Sequence, residues 1–427
     1  MRAVVIAVCA LACWCFAAPA ALAATGPCGV GANSPTCHIT SGKVTFIGDG
    51  DTVSVKLDGH PKDAPVHVRI TGIQAMEEHV YTTDPRARIG ECHANEATAR
   101  LEYLVGLSHG RVQLAALDET AHSGSRERRQ VRVYINGTWR DVGRMLINEG
   151  HAWWLPNPVE WAFNGSYNVL SQRAADRQLG LWNSYYCGPG PEDLASLRVW
   201  VNSNPYGSDR RDPNGEWVRV KNLDPVNPVA LGGWWVRDSS LRRYTLPSSA
   251  VVPAGGTITV YVGKGADTSS DFYWGLRGGV FDNVTHDGHN GGDGAFLFDT
   301  EGDLRAWMIY PCRVTCTDPL QKALKLTTHP TGTEYVDIEN VTAAPVNLEG
   351  YRLAISTQGY PFPAGTILQP GDVLRVTVKG DPETDTALEK HWGLTDLILP
   401  NNGGELRAAT FDGIVLACDA WGTGSCS

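Results

Sequence analysis

Surplus positive charge is one thing this chain lacks. It carries 36 Lys and Arg against 46 Asp and Glu, a formal charge of −10. Residues 331–427 hold 5 basic and 13 acidic groups, which makes that third a poor partner for a polyanion. Residues 41–190 hold 16 and 17, enough arginine for a local basic face. Past the first two dozen residues no apolar run approaches the length of a membrane span, so the remaining chain is expected to be soluble, with no transmembrane segment. A second ligand pair near Cys312 and Cys316 is also missing, which argues against a zinc site there. No nucleophile stands beside a base beyond residue 191, so that half is expected to bind or scaffold.

Met1-Arg2, the apolar run Val4 to Phe16 and Ala21-Leu22-Ala23 read as a secretory signal peptide over 1–24, cut after Ala23 or Ala24. Export to an oxidising compartment makes Cys28, Cys37, Cys92, Cys187, Cys312, Cys316, Cys418 and Cys426 a disulfide set. Sequence proximity favours Cys28 with Cys37, Cys92 with Cys187, Cys312 with Cys316, and Cys418 with Cys426, among about 105 pairings that eight cysteines allow. A mature chain of about 400 residues implies two to four domains. With 47 Gly, 25 Pro and many β-branched and aromatic residues, β structure should dominate.

The chemistry gathers between Gly48 and Glu78. Gly48-Asp49-Gly50-Asp51-Thr52-Val53 is a turn leaving one strand, and Val68-Arg69-Ile70-Thr71-Gly72-Ile73-Gln74-Ala75-Met76-Glu77 is a second strand and its loop. Phosphodiester cleavage uses carboxylate oxygens for a hard cation, a guanidinium fork for the phosphorane, and a carboxylate to activate water. An acidic hairpin with a solvated arginine is the plainer reading of the same spacing.

The motifs resemble those of the staphylococcal nuclease (thermonuclease) family. Ile47 to Val53 is similar to its first signature, and Arg69-Ile70-Thr71-Gly72-Ile73 to its second. Glu127-Arg128-Arg129 before Val131 to Ile135 resembles the third, and the resemblance runs from about Gly42 to Trp182. It implies an OB-fold barrel with about three helices over 38–190, and catalytic roles for Arg69, Glu77 and Arg128. It further implies calcium held by Asp51 and Gln74; Asp49, two residues before Asp51, could stand behind them or swing in as a substitute carboxylate. The family's Asp-Thr-Pro-Glu is Gln74-Ala75-Met76-Glu77 here, so an amide replaces one metal carboxylate and the cation should bind more weakly.

Within this region Glu91 to Val105 reads as a helix. Asn136-Gly137 marks a hairpin, Asp141 caps a helix carrying Val142, Met145 and Leu146, and Ser166 caps another. Trp153, Trp154 and Trp161 are expected to pack inward, with base stacking as the alternative. His93, His122 and His151 have no Cys or acid at ligand spacing.

Beyond Gly188-Pro189-Gly190-Pro191 a repeat appears at an offset of 117–118 residues. Glu216-Trp217-Val218 matches Glu334-Tyr335-Val336, and Trp274-Gly275-Leu276 matches Trp392-Gly393-Leu394. Strand-length runs between turns predict two immunoglobulin-like β-sandwiches, over 195–318 and 319–427. The first resembles a lamin-tail domain in Leu231-Gly232-Gly233-Trp234-Trp235-Val236-Arg237-Asp238. The second is looser, with Ile355-Ser356 in place of Arg237-Asp238. His286 to Asp293 could bind calcium but lacks the alternating acids of a ligand loop.

Two functions follow. One is a secreted calcium-dependent nuclease leaving 3′-phosphates on DNA or RNA, with accessory sandwiches dispensable for chemistry. The other is a non-catalytic nucleic-acid- or cell-surface-binding protein on a nuclease fold.

Overall fold

The computed structural model describes residues 24–29, 34–59, 64–78, 90–183, 185, 196–204, 208–284, 291–356 and 358–426. The expected signal peptide up to Ala23, Cys187 and most of His286 to Asp293 lie outside them. Among the described residues no helix is long and apolar enough to cross a membrane.

The N-terminal region runs β1 (Ala24–Pro27), β2 (Thr36–Asp49), β3 (Thr52–Leu57), β4 (Val66–Ile70), β5 (Ile73–Ala75), α1 (Ala94–Leu107), β6 (Arg111–Ala116), β7 (His122–Ser123), β8 (Arg126–Ile135), β9 (Thr138–Asp141), α2 (Val142–Asn148), β10 (Ala152–Trp154) and α3 (Asn164–Asp176). The main ladder is β2-β3-β4-β8-β6, and β6 pairs again with β2. Alternation explains its inner face: Val53, Val55, Val68, Ile70, Val112, Leu114, Val131 and Val133 are all fully buried. The long β2 serves two partners, and its register against β3 slips at Val44/Phe46 and Ile47/Asp49, the sort of irregularity that bends a strand.

Asn136 and Gly137 both take positive φ, 51° and 81°, and close the β8–β9 hairpin in two residues. Asp141 caps α2 by accepting from the Arg144 amide. The first helix starts three residues later than the pattern predicts, because His93 has φ 74°. The third starts at Asn164, and Ser166 is not its cap: its hydroxyl donates to the Phe163 carbonyl inside the first turn.

The remainder is two copies of one β-sandwich. In the first, strands Leu197–Ser203, Glu216–Asn222, Thr257–Tyr261 and Asp271–Tyr273 form one sheet; Arg243–Thr245, Trp235–Arg237, Asp293–Phe298 and Leu304–Tyr310 form the other. Val218, Val220, Ile258 and Val260 from one sheet share a core with Val236, Ala295 and Leu297 from the other. Strand order recurs over residues 324–422, including the single parallel pairing in each copy. Shared polar anchors explain the repeated residues. Glu216 accepts from the amides of Val280 and Phe281, and Glu334 from those of Ile398 and Leu399. Disulfides join Cys28–Cys37, Cys312–Cys316 and Cys418–Cys426, and Cys92 is also disulfide-bonded.

The first sandwich is docked on the N-terminal region through an aromatic seam. Trp153 stacks on Phe296 at 3.9 Å between centroids, and its indole N–H donates to the Ser239 carbonyl. Trp182 packs against Trp307 and Phe296, and within the sandwich Trp235 stacks on Phe298 behind them. Trp235, Phe296, Phe298 and Leu304 belong to the same continuous core as the β2–β8 ladder. Trp153 and Trp154 are thus buried, as the packing reading expects, but part of what covers Trp153 comes from the next domain. The second sandwich meets the first through Lys221–Glu349 and the edge contact of Trp217 with Phe411.

Candidate functional site

Strand register assembles the site. In the ladder Thr52 lies opposite Arg69, and Arg69 opposite Arg128, so three strands place Asp51, Arg69 and Arg128 side by side. Gly50 is obligatory to this arrangement. A Cβ there would stand 2.7 Å from the Ala75 Cβ and 2.8 Å from that of Ala97, so only glycine lets the turn lie against β5 and α1.

Asp51 is almost fully buried. Its Oδ1 pairs with Arg69 Nη1 and accepts from the Thr52 hydroxyl, and its Oδ2 accepts from the Ala75 amide at 2.8 Å. Arg69 Nη2 donates to Gln74 Oε1 at 2.6 Å, and Gln74 Nε2 donates to Glu77 Oε1 at 2.7 Å. A single relay therefore runs Asp51–Arg69–Gln74–Glu77. Asp49 turns back to accept from the Asp51 amide. Arg128 donates from Nε to the His122 carbonyl, while its Nη1 is buried without a hydrogen-bond partner. A buried guanidinium nitrogen left open in this way is suited to an incoming anion.

Burial dominates the electrostatics. It pushes Glu77 above the usual carboxylate value, opposed first by the Arg69 charge. It lowers Arg69 to about 10, with Glu77 and Asp49 opposing, so the guanidinium remains charged at neutral pH.

Calcium takes six to eight oxygen ligands. Here the Asp51 oxygens and the Gln74 oxygen are engaged by Arg69, Thr52 and the Ala75 amide, so the guanidinium stands where the cation would. The expected ligand pair Asp51 and Gln74 does not fit the ion in this arrangement. Among the described residues no three His, Cys, Asp or Glu side chains converge in a metal-holding group.

The sequence reading missed three contributors. Arg126 reaches the site by donating to the Thr52 hydroxyl at 2.9 Å, and its place two residues before Arg128 on one strand was the available signal. Glu91 accepts from the Glu77 amide at 3.0 Å and pairs with Arg237 of the first sandwich at 2.5 Å. The available signal was the missing arginine in the second copy, although register sets Ala354, not Ile355, at the position of Arg237.

The histidines divide. His93 Nε2 lies 2.9 Å from His151 Nδ1 with the rings stacked, and burial pulls both down, His93 to about 4. They are therefore neutral, mutually paired core groups near pH 7. Exposed His122 bonds to the Thr120 carbonyl, and half-buried Trp161 lines a separate cavity of about 1000 Å³ with Trp139, Arg140 and Arg144.

Residues 195–311 match the family model described as Lamin Tail Domain. No curated protein matches the chain.

Proposed function

We propose that the chain is a secreted nuclease that hydrolyses phosphodiester bonds of DNA or RNA. In this reading residues 38–190 are a staphylococcal nuclease-like OB barrel, and 319–427 a second, divergent lamin-tail-like sandwich. The observation that carries it is the register of β3, β4 and β8, which gathers Asp51, Arg69 and Arg128, with the open Arg128 Nη1 facing no protein partner.

The chemistry assigned to these side chains is simple. Arg128 and Arg69 hold the phosphate and stabilise the charge that grows on its equatorial oxygens. Gln74 fixes Glu77 by one oxygen, and the other takes a proton from the attacking water. The 5′-oxygen leaves and a 3′-phosphate remains, as the resemblance implies. The test is cleavage of a fluorescent oligonucleotide by the purified full chain, with and without calcium, and the product ends identified. Binding without cleavage under every metal condition would leave the second reading, a nucleic-acid-binding protein. The closed, buried Asp51–Arg69 pair is the observation that favours it.

Two expectations follow for the active protein. Only ionised Glu77 accepts a proton, and its pKa is raised by burial. Activity should therefore be lost as pH falls through a value above 4.5 and be complete well above it. A kcat/KM profile measures this, and an ascending limb at or below the ordinary carboxylate value would contradict it.

Gln74→Asp should set a second carboxylate against the Arg69 guanidinium and remove the amide that fixes Glu77. Cleavage should fall at least ~10-fold, about 1.4 kcal/mol, whatever the calcium concentration. A Gln74→Asp protein that cleaves at the wild-type rate would take residue 74 out of the relay.

A further inference from the structure

Glu77 is tied to the first sandwich through Glu91 of its own domain. Its carbonyl accepts from the Glu91 amide at 2.8 Å, and its amide donates to Glu91 Oε2 at 3.0 Å, so Glu91 clamps it through both backbone groups. The other Glu91 oxygen, Oε1, meets Arg237 Nη1 at 2.5 Å, with both side chains wholly buried. The next residue, Cys92, donates its amide to the Gly302 carbonyl of the same sandwich. A second arm reaches the site from the same arginine. The Arg237 guanidinium lies 4.4 Å from the Trp153 ring, and Trp153 pairs by its backbone with Gln74, whose amide nitrogen holds the Glu77 carboxylate.

We propose that Arg237, on the lamin-tail sandwich, is a positioning residue for Glu77, and that docking of this sandwich sets the geometry of the candidate site. The role assigned to Glu77 rests on the nuclease reading; the positioning itself does not. The sandwich has no need of an arginine here for its own folding, since strand register puts Ala354 at the corresponding position of the second copy. A buried ion pair is also a poor source of stability, because desolvating both charges costs about as much as their attraction returns. What the pair supplies is direction. A carboxylate fixed at one oxygen by a guanidinium can present the other to a single amide at a defined place.

The experiment uses the full chain in four forms: wild type, Arg237→Met, Arg237→Lys, and Arg237→Met with Glu91→Gln. Glutamate carboxyl carbons are labelled with ¹³C, the Glu77 signal is assigned by its loss in Glu77→Gln, and each protein is titrated. The charges facing Glu77 are Arg69, Asp49 and Glu91, so taking the Arg237 charge from beside Glu91 in Arg237→Met should raise the Glu77 pKa. The double variant should bring it back, because the extra negative charge is gone, and it keeps a foldable core where Arg237→Met alone does not guarantee one. Arg237→Lys should lie between wild type and Arg237→Met. In the cleavage assay the double variant should lose at least ~10-fold in kcat with KM within about twofold, since the clamp on Glu77 is loosened while the phosphate-binding arginines are untouched.

A folded double variant with wild-type kcat, or a Glu77 titration that no variant moves, overturns the proposal. If the wild type cleaves nothing yet the Glu77 signal moves and returns as described, the positioning stands and the nuclease reading falls.

Discussion

A chain ended near Pro191 should not accumulate as a folded, soluble monomer. The sequence treats the sandwiches as dispensable appendages, but the docked seam gives a physical reason for the opposite. Removing residues beyond 191 strips Phe296 and Phe298 from Trp153, Phe296 and Trp307 from Trp182, and the Arg237 charge from Glu91. Exposing a large buried side chain costs roughly 1.5–3 kcal/mol. Two tryptophans together then remove a substantial part of the roughly 5–15 kcal/mol by which a domain is stable. What remains would present an aromatic patch of the kind that drives aggregation. Expression of the fragment, near-UV circular dichroism and thermal unfolding decide the matter. A monomer with a native aromatic spectrum and a melting temperature close to that of the full chain would mean the seam adds little.

Arg128→Ala should leave the fold intact and reduce cleavage by at least ~10²-fold, from loss of a charge-assisted contact that strengthens in the transition state. The side chain makes one hydrogen bond, to the His122 carbonyl, so little stability is at stake. Arg69→Ala should be at least as damaging to rate, and for two reasons. It removes the second guanidinium, and it strands the buried Asp51 carboxylate, which for a broken buried pair costs about 3–5 kcal/mol. Single-turnover cleavage alongside thermal melts separates the two effects. If both variants cut at the wild-type rate, groups other than Arg69 and Arg128 carry the cleavage and the site assigned here is wrong.

Local chemistry fixed much of this molecule in advance. Alternating valines along β3, β4, β6 and β8 set an inward face, Asn136-Gly137 set a hairpin, and Asp141 set a helix start, because each depends on neighbours a few residues away. The sandwich repeat was legible for a similar reason: Glu216 and Glu334 anchor equivalent loops in two copies of one design. The proximity of Asp51, Arg69 and Arg128 rests on a register that a sequence can suggest only through resemblance.

The engagement of those groups was decided by the tertiary structure. Whether Gln74 faces a cation or Arg69 depends on where a guanidinium finds its partner once water is excluded, and no spacing encodes that. Trp153 read as a residue packing inward, and so it is, but the ring it packs on is Phe296, 143 positions away on another domain. Glu91 and Arg237 lie 146 residues apart, each unremarkable in its own segment, and only the docking of two separately patterned surfaces turns them into one buried pair against Glu77. Periodicity determines which face of an element is apolar; which other apolar face covers it is settled by shape and by the partners that buried polar groups require.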